Sequence, residues 1–443
     1  MDVSGSLKFG WYGDDFTGAT DTLATAAQAG LRSLLFLGLP TPERLARAGP
    51  LDGLGIAGAA RTMTPIQMQA ELAPVGRLFA ELAVPVMHYK VCSTFDSSPA
   101  VGSIGAAAAI LRATVSNSFV PIVGGQPSLG RYCVFGHLFA RAGNDGKVYR
   151  IDRHPTMSRH PVTPMQESDL RLHLAAQGMS QVASLDYPAY AQEASLDAQL
   201  DALLSGGAQA VLLDAADEAH LASIGRLIWQ RAQQQRLLAV GPSSVIQALA
   251  AHWQNASGNA AVLPMSTPIV SARGPVLVLA GSLSPLTAQQ VAAAGSYARV
   301  PIDPARLLAS DAVYSAQLAN KVIDLLKNGH SVLACTTKLI DHDSPTPSSA
   351  LNPRALATAC GHWLAQVLEA APVQRLGIAG GDTSSHAVQA LDAWGLSYLQ
   401  SFSPGVALCR LHSDQAHLNG MEIILKGGQM GATHLFEHML HGM

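Results

Sequence analysis

Hydrophobic positions in the first half of the chain fall into short runs separated by segments of helical spacing. "LKFGWY" reads as a strand. From Phe16 to Ala29 the apolar positions (Leu23, Ala27) follow helical period, and Gly30 stops them. "LRSLLFLG" and "LGIAGAA" predict two short strands, and "PIQMQAELAPVGRLFAELA" predicts a helix that Pro74 interrupts. "VPVMHYK", "AVGSIGAAAAILRA" and "SFVPIVGG" continue as strand, helix, strand. This rhythm predicts βαβ crossovers and a parallel sheet covered on both faces.

Next, "RYCVFGHLFA" and "GKVYRID" predict a hairpin around Asn144-Asp145-Gly146. A loop with Pro155, Pro161 and Pro164 leads to a helix at "ESDLRLHLAAQG". Further βα units follow at "QAVLLDAAD" and "RLLAVGPSSVIQAL". Residues 254–273 are rich in Asn, Ser, Pro and small residues without helical period, and read as a linker between a domain at 1–253 and another at 274–443. Past it the α/β rhythm resumes in "GPVLVLAGSLSPLTAQQVAAA", "HSVLACTT", "ALATACGHWLAQVLEA" and "RLGIAGGDTSSHAVQAL", closing with "GMEIILKGGQMGATHLFEHML". The fold class expected is α/β, as two α/β domains with largely parallel sheets and an active site in the cleft between them.

Composition narrows the function classes. The 443 residues exceed one ordinary core, which agrees with two domains. With 48% hydrophobic and 13% charged residues and a net charge of −3, the chain is globular. It lacks the clustered Lys and Arg of a nucleic-acid binder. No run approaches the roughly 20 apolar residues of a membrane span, and the start has no secretory pattern. The five cysteines, Cys92, Cys133, Cys335, Cys360 and Cys409, form no CxxC pair and read as inert thiols of a cytoplasmic protein.

Ligands of open parallel sheets sit at strand carboxyl ends, and the polar loops of the first half fall there. "GDDFTGATD" brings Asp14 and Asp15, "AART" brings Arg61, and "YKVCSTFDSSP" brings Lys90, Ser93, Thr94, Asp96 and Ser97. Cations would take a carboxylate and Asp oxygens would accept hydroxyl hydrogens, which suits a small polyhydroxylated acid. Each piece has a plainer reading: Asp-Asp as a helix N-cap beside a solvated neighbour, Arg61 and Lys90 as surface charges, "STFDSS" as a capped turn. The second half offers three glycine turns, "AGSLSPLT", "AGGDTSSH" and "LKGGQMG", which suggest a phosphate cradle because glycine admits close backbone approach to an anion. No GxxxxGK[ST] loop is present. "HLFEH" (434–438) matches a short zinc-protease pattern without a specified third ligand. His154 and His160, each between Arg and Pro, lie on a rigid loop that either contributes to the crevice, the preferred reading, or packs between the domains.

Taken together, "DDFTGATD", "AART", "YKVCSTFDSS", "RHPVTPM", "GSLSPLT", "GGDTSS" and "LKGGQMG" resemble, in order and over almost the whole chain, the four-carbon acid sugar kinases, a group that includes 3-oxo-tetronate, threonate and erythronate kinases. The resemblance implies an N-terminal acid-sugar-binding domain and a C-terminal nucleotide-binding domain. ATP, with Mg²⁺, would phosphorylate the terminal hydroxyl of a C4 sugar acid. It places Asp14, Asp15, Arg61, Lys90 and the turn Ser93, Thr94, Asp96, Ser97 around the acid. It places Ser282, Ser284, Gly381, Asp382, Thr383, Ser384, Gly427 and Gly428 around ATP. In this reading Arg61 and Lys90 fix the carboxylate, the two aspartates orient hydroxyls, and Asp15 in preference to Asp14 accepts the proton. A metal-dependent sugar-acid lyase or aldolase and a non-catalytic sugar-acid sensor stand as rivals. Neither nucleic acid nor membrane is an expected partner; the oligomeric state, a homodimer among the options, stays open.

Overall fold

The computed structural model describes residues 7–117, 119–142, 146–160, 162–257, 268–281, 284–336 and 352–442. The fold divides into two compact units: one holds the described residues of 1–34 and 39–264, the other those of 35–38 and 265–443.

The strands of the N-terminal half are β1 (Phe9–Gly13), β2 (Ser33–Phe36), β3 (Gly53–Ala57), β4 (Val86–Lys90), β5 (Val120–Gln126), β6 (Arg131–Val134), β7 (His137–Arg141), β8 (Val148–Arg150), β9 (Val182–Leu185), β10 (Ala210–Asp214) and β11 (Leu237–Gly241); all but β2, whose Leu35 and Phe36 fall in the second unit, build the first. Seven of these pair in parallel in the order β3-β1-β4-β11-β5-β10-β9. The strands β1, β3, β4, β10 and β11 are buried along their whole length, as a sheet covered on both faces requires. Between them run helices such as Phe16–Gln28 and Pro65–Glu81, the latter opened by a reciprocal Thr64–Gln67 capping box and carrying Pro74 inside it.

Gly53-x-Gly55-x-x-Gly58 has the letters of a dinucleotide fingerprint, but Gly53 and Gly55 lie within β3. A Cβ at Gly55 would fall 2.2 Å from the Trp11 ring, and one at Gly58 would fall 1.8 Å from the Tyr12 hydroxyl. These glycines make room for the aromatic side chains of β1.

Two expectations change. β2 is a strand, but its Leu35 and Phe36 belong to the second unit, where they pair antiparallel with Leu396 and Gly395. "RYCVFGHLFA" is itself a hairpin, β6–β7, because Phe135 and Gly136 both take positive φ (52° and 80°), the geometry of a tight primed turn. β8 then pairs with β7 as the second arm; Asn144 and Asp145 lie outside the described residues.

The second unit comprises β12 (Val276–Ala280), β13 (Ala298–Ile302), β14 (Val332–Thr336), β15 (Arg375–Ala379), β16 (Ala393–Ser403), β17 (Val406–Ser413) and β18 (Glu422–Lys426). The order β13-β14-β12-β15-β18 is parallel, and β17 and β16 extend it antiparallel. Its core gathers Val278, Leu333, Ile424 and Phe436. The helix Ser244–Ser257 runs into the stretch read as linker, and residues 258–267 lie outside the described residues.

Strand order locates the crevices. In the first unit the chain leaves β1 toward β3 and leaves β4 toward β5, so the connections of these neighbouring strands diverge. In the second unit β12 leads to β13 and β15 to β16, again in opposite directions. Carboxyl ends at such switch points are where an open α/β sheet offers a crevice.

Candidate active site

At the β1/β4 switch point the loop after Gly13 supplies Asp14 and Asp15, and β4 ends on Lys90. The Asp14 amide donates to the Lys90 carbonyl at 3.0 Å. All three side chains are buried: Asp14 and Asp15 are each 5% exposed and Lys90 is 4% exposed. The short helix after β3 brings in Arg61. Its Nη2 and Nε donate to Asp14 Oδ1 and Oδ2 (2.9 and 3.3 Å), and its Nη1 reaches Asp15 Oδ2 at 2.8 Å. One guanidinium thus bridges both carboxylates.

The two aspartates differ in what else they hold. Asp15 is the N-cap of helix Phe16–Gln28, accepting the Gly18 amide at 2.7 Å and the Thr17 hydroxyl at 2.8 Å. Burial pushes its carboxyl upward, but Arg61, Lys90, Thr17 and the Gly18 amide together hold it below the ordinary carboxylate range. Asp14 has only Arg61 as a hydrogen-bond donor among the described residues. There burial wins: with the negative charge of Asp15 beside it, its carboxyl lies above the usual range despite Arg61 and Lys90. The plainer reading therefore holds for Asp15 as a cap and fails for its neighbour, which is not solvated.

The Lys90 ammonium makes no hydrogen bond or direct ion pair among the described residues. Its ammonium lies against the first turn of helix Phe16–Gln28: a Cβ at Gly18 would stand 2.3 Å from Nζ and 2.5 Å from Asp15 Oδ1. Its charge is felt by both carboxylates, and its donors remain available to a further anion.

The turn after β4 is internally bonded. Thr94 donates to Asp96 Oδ1 at 2.5 Å, and the Cys92 thiol and Thr94 hydroxyl lie 2.9 Å apart. Burial pushes the Cys92 thiol up to about 11. Phe95, fully buried, holds φ +55°, a strained conformation for a bulky residue. Ser93 is buried beside them. Ser97 faces the other way, bonded to His173 Nε2 (2.8 Å) and Gln177 Nε2 (2.8 Å), so it fastens the turn to the helix Leu170–Ala175 and its C-terminal end.

The histidines of the proline loop serve that loop. His154 Nδ1 accepts the amides of Thr156 and Met157, and His160 Nδ1 accepts that of Thr163. Sequence reasoning missed Asp21, at the end of the opening motif, which accepts from Gln126 Nε2 (3.2 Å) and Ser243 Oγ (2.5 Å). It ties the carboxyl ends of β5 and β11 to the helix that Asp15 caps.

In the second unit the three glycine turns gather at the β12/β15 switch point and on β18 beside it. The Gly281 amide donates to the Ala379 carbonyl and the Gly380 amide to that of Lys426. Gly380 sits at φ 126°, and a Cβ at Gly281 would fall 2.4 Å from Thr383 Oγ1, so backbone freedom and backbone closeness are both in use. Gly381 opens the helix Gly381–Gln389, with Asp382 in its first turn. Thr383, buried, lies against Gly281, whereas Ser384 is fully buried and donates to the Ile378 carbonyl at 3.3 Å. Ser284 caps helix Pro285–Ala293 and bonds the Gly428 carbonyl. Ser282 lies outside the described residues.

Lys426, inside a quoted motif but not singled out, is 1% exposed and donates to Thr287 Oγ1 at 2.9 Å. Burial depresses its ammonium to about 7. Glu437 of "HLFEH" bonds the Ser296 amide and hydroxyl (2.9 and 2.8 Å) and pairs with His441. Among the described residues no three metal-ligating side chains gather, and no helix is long and apolar enough to cross a membrane.

A polar, doubly cationic crevice in one unit and glycine-turn amides around a buried lysine in the other match a pattern shared with known proteins. The profile of a sugar-binding N-terminal domain matches residues 9–249, and that of a nucleotide-binding C-terminal domain matches residues 277–436. A 3-oxo-isoapionate kinase of Paraburkholderia graminis is 38% identical over 98% of this chain and 94% of its own. A 3-oxo-tetronate kinase of Methylobacterium radiotolerans is 32% identical over 99% of this chain and 100% of its own. Solved structures from Salmonella typhimurium LT2 (TM-score 0.74, 24% identity, 97% of this chain and 98% of that one) and Haemophilus influenzae (TM-score 0.69, 22% identity, 97% and 98%) share the fold. Both domain profiles and both relatives span the chain in register with the two crevices, and the chain therefore belongs to the four-carbon acid sugar kinase family.

Proposed function

We propose that the protein transfers the γ-phosphoryl group of ATP directly to the terminal hydroxyl of a small 3-oxo sugar acid, of the 3-oxo-tetronate or 3-oxo-isoapionate class. The observation that carries this reading is the buried set Asp14, Asp15, Arg61 and Lys90 at a switch-point crevice. Arg61 is already bonded to both carboxylates, so Lys90 is the cation left for the substrate carboxylate. Arg61 fixes the two aspartates instead. Asp15 holds the helix start and orients a substrate hydroxyl through its remaining lone pairs.

The proton of the attacking hydroxyl goes to Asp14. It is the more basic of the pair and the less encumbered, which reverses the order expected from the sequence. Basicity matters here only modestly, because phosphoryl transfer draws most of its acceleration from positioning and charge stabilisation.

The residues of the second unit suit a polyphosphate: Gly281, Gly380 and Gly381 allow close backbone approach, and Lys426 supplies a buried cation. Ser284 and Thr383 border the same crevice, with Gly427 and Gly428 on its β18 side; Asp382 is assigned to the nucleotide by position alone. Mg²⁺ would supply neutralisation of phosphate charge; among the described residues no protein ligand set is assigned to it, and no step here depends on one. Direct transfer carries its own requirement, that acceptor oxygen and γ-phosphate meet during turnover.

The test is an ADP-coupled assay with Mg·ATP over 3-oxo-tetronate, 3-oxo-isoapionate, threonate and erythronate. ADP release that depends on a 3-oxo acid supports the proposal. Turnover of an acid without ATP would favour a lyase, and the absence of turnover with all four acids would rule the proposal out.

A further inference from the structure

Helix Pro285–Ala293 follows the first glycine turn, and one of its faces carries Thr287 and Gln290, in line with the N-cap Ser284. Thr287 and Gln290 are both fully buried. Gln290 Nε2, with two N–H groups of which one is shared, lies within hydrogen-bond distance of three successive carbonyls of the last glycine turn: Met430 at 3.1 Å, Gly431 at 3.3 Å and Ala432 at 3.0 Å. Ser284 and Thr287 hold the Gly428 carbonyl at 2.5 and 3.2 Å. Four carbonyls of one short turn are thereby drawn toward one helix.

Each peptide unit here is trans, so a carbonyl and the following N–H point in opposite directions. Drawing in the carbonyls of 428, 430, 431 and 432 turns the amides of Gln429, Gly431, Ala432 and Thr433 outward. Among the described residues none of these four amides donates within the chain; the turn's internal bond is Met430 N–H to Gly427 O. A run of outward N–H groups is an anion nest. Gly431 sits at φ +86°, and a Cβ there would stand 2.9 Å from Leu435 Cδ1, so a side chain is excluded where the nest bends. The Gln290 amide has one workable orientation: its Oε1 is buried without a partner, and a flip would press that oxygen against three carbonyls.

We infer that Gln290 is a positioning residue of the nucleotide site: by holding the carbonyls of Met430–Ala432 it presents the turn's amides to the phosphates. This rests on the ATP-binding reading above. It is tested by calorimetric titration of ADP into wild type, Gln290→Leu and Val291→Ala, with melting temperatures measured alongside. Val291 is a buried core residue of the same helix and controls for general loosening.

Gln290→Leu should weaken ADP binding at least tenfold and raise KM for ATP in proportion, with KM for the acid within twofold of wild type. Val291→Ala should lower the melting temperature yet bind ADP within twofold of wild type. Should Gln290→Leu fail to fold, Gln290→Asn, whose amide is one methylene short, must show the same selective loss. A folded Gln290 variant that binds ADP as wild type does overturns the inference while leaving the nucleotide reading standing. Wild type that binds no ADP removes both.

Discussion

Asp14 and Asp15 are adjacent in sequence and unequal in environment, and the inequality is testable one atom at a time. Asp14→Asn keeps size and polarity but removes the carboxylate charge proposed to take the hydroxyl proton. It should lower kcat by two to four orders of magnitude, the usual range for a general base, with KM for ATP unchanged. Asp15→Asn keeps a side chain that can cap the helix but removes the charge that anchors Arg61, so it should raise KM for the acid more than it lowers kcat. Steady-state kinetics on both variants decide the assignment; a larger kcat loss in Asp15→Asn would return the base role to Asp15.

Lys426 makes a second residue-scale claim. Its ammonium titrates near 7 in the fold against about 10.4 in an unfolded chain. Between those values the unfolded state binds more protons than the native one. Stability of the nucleotide-free protein should therefore rise as pH goes from about 7 to 10, and the burial penalty should be fully present below 7. Lys426→Met should melt higher than wild type at pH 6, with the gap narrowed by pH 9, in thermal melts followed by circular dichroism. A pH-independent gap would contradict the shift.

At the scale of elements, the helix Phe16–Gln28 and the end of β4 form one device, joined where Gly18 lets the Lys90 ammonium lie against the backbone. Gly18→Ala improves helix propensity by roughly 1 kcal/mol in isolation, yet the new methyl would displace Lys90. KM for the acid should rise at least tenfold with KM for ATP unchanged; unchanged acid kinetics would show that Lys90 needs no such seat.

This device was half legible in the sequence. The strand-to-loop pattern announced Asp14, Asp15 and Lys90 at neighbouring strand ends, because parallel strands and helical spacing are local signals. That Arg61 would be bonded to both aspartates depends on how the loop after β3 folds back, which no local pattern encodes. β16 and β17 went unread for a related reason: register shifts between Ala393 and Gly395, Tyr398 and Gln400, and Ser401 and Ser403 break their alternation. β2 read correctly as a strand, but its partners lie some 360 residues away, beyond the reach of periodicity. Ser284, Thr287 and Gln290 were spaced for one helix face, a signal present in "SPLTAQQ" that only a turn to hold would make meaningful.

For the whole molecule, two α/β units each carry a switch point between strand ends, and the proposed function assigns the acid to one and the nucleotide to the other. Fold class was legible from strand–helix alternation, whereas the membership of Leu35–Gly38 in the second unit was not. The central claim is direct transfer onto the acid's terminal hydroxyl, and phosphorus NMR of the reaction mixture tests it most directly. The account predicts one new phosphomonoester for each ADP formed, its resonance split by the two protons of a terminal methylene. ADP accompanied only by inorganic phosphate, or a phosphoester without methylene splitting, would contradict it.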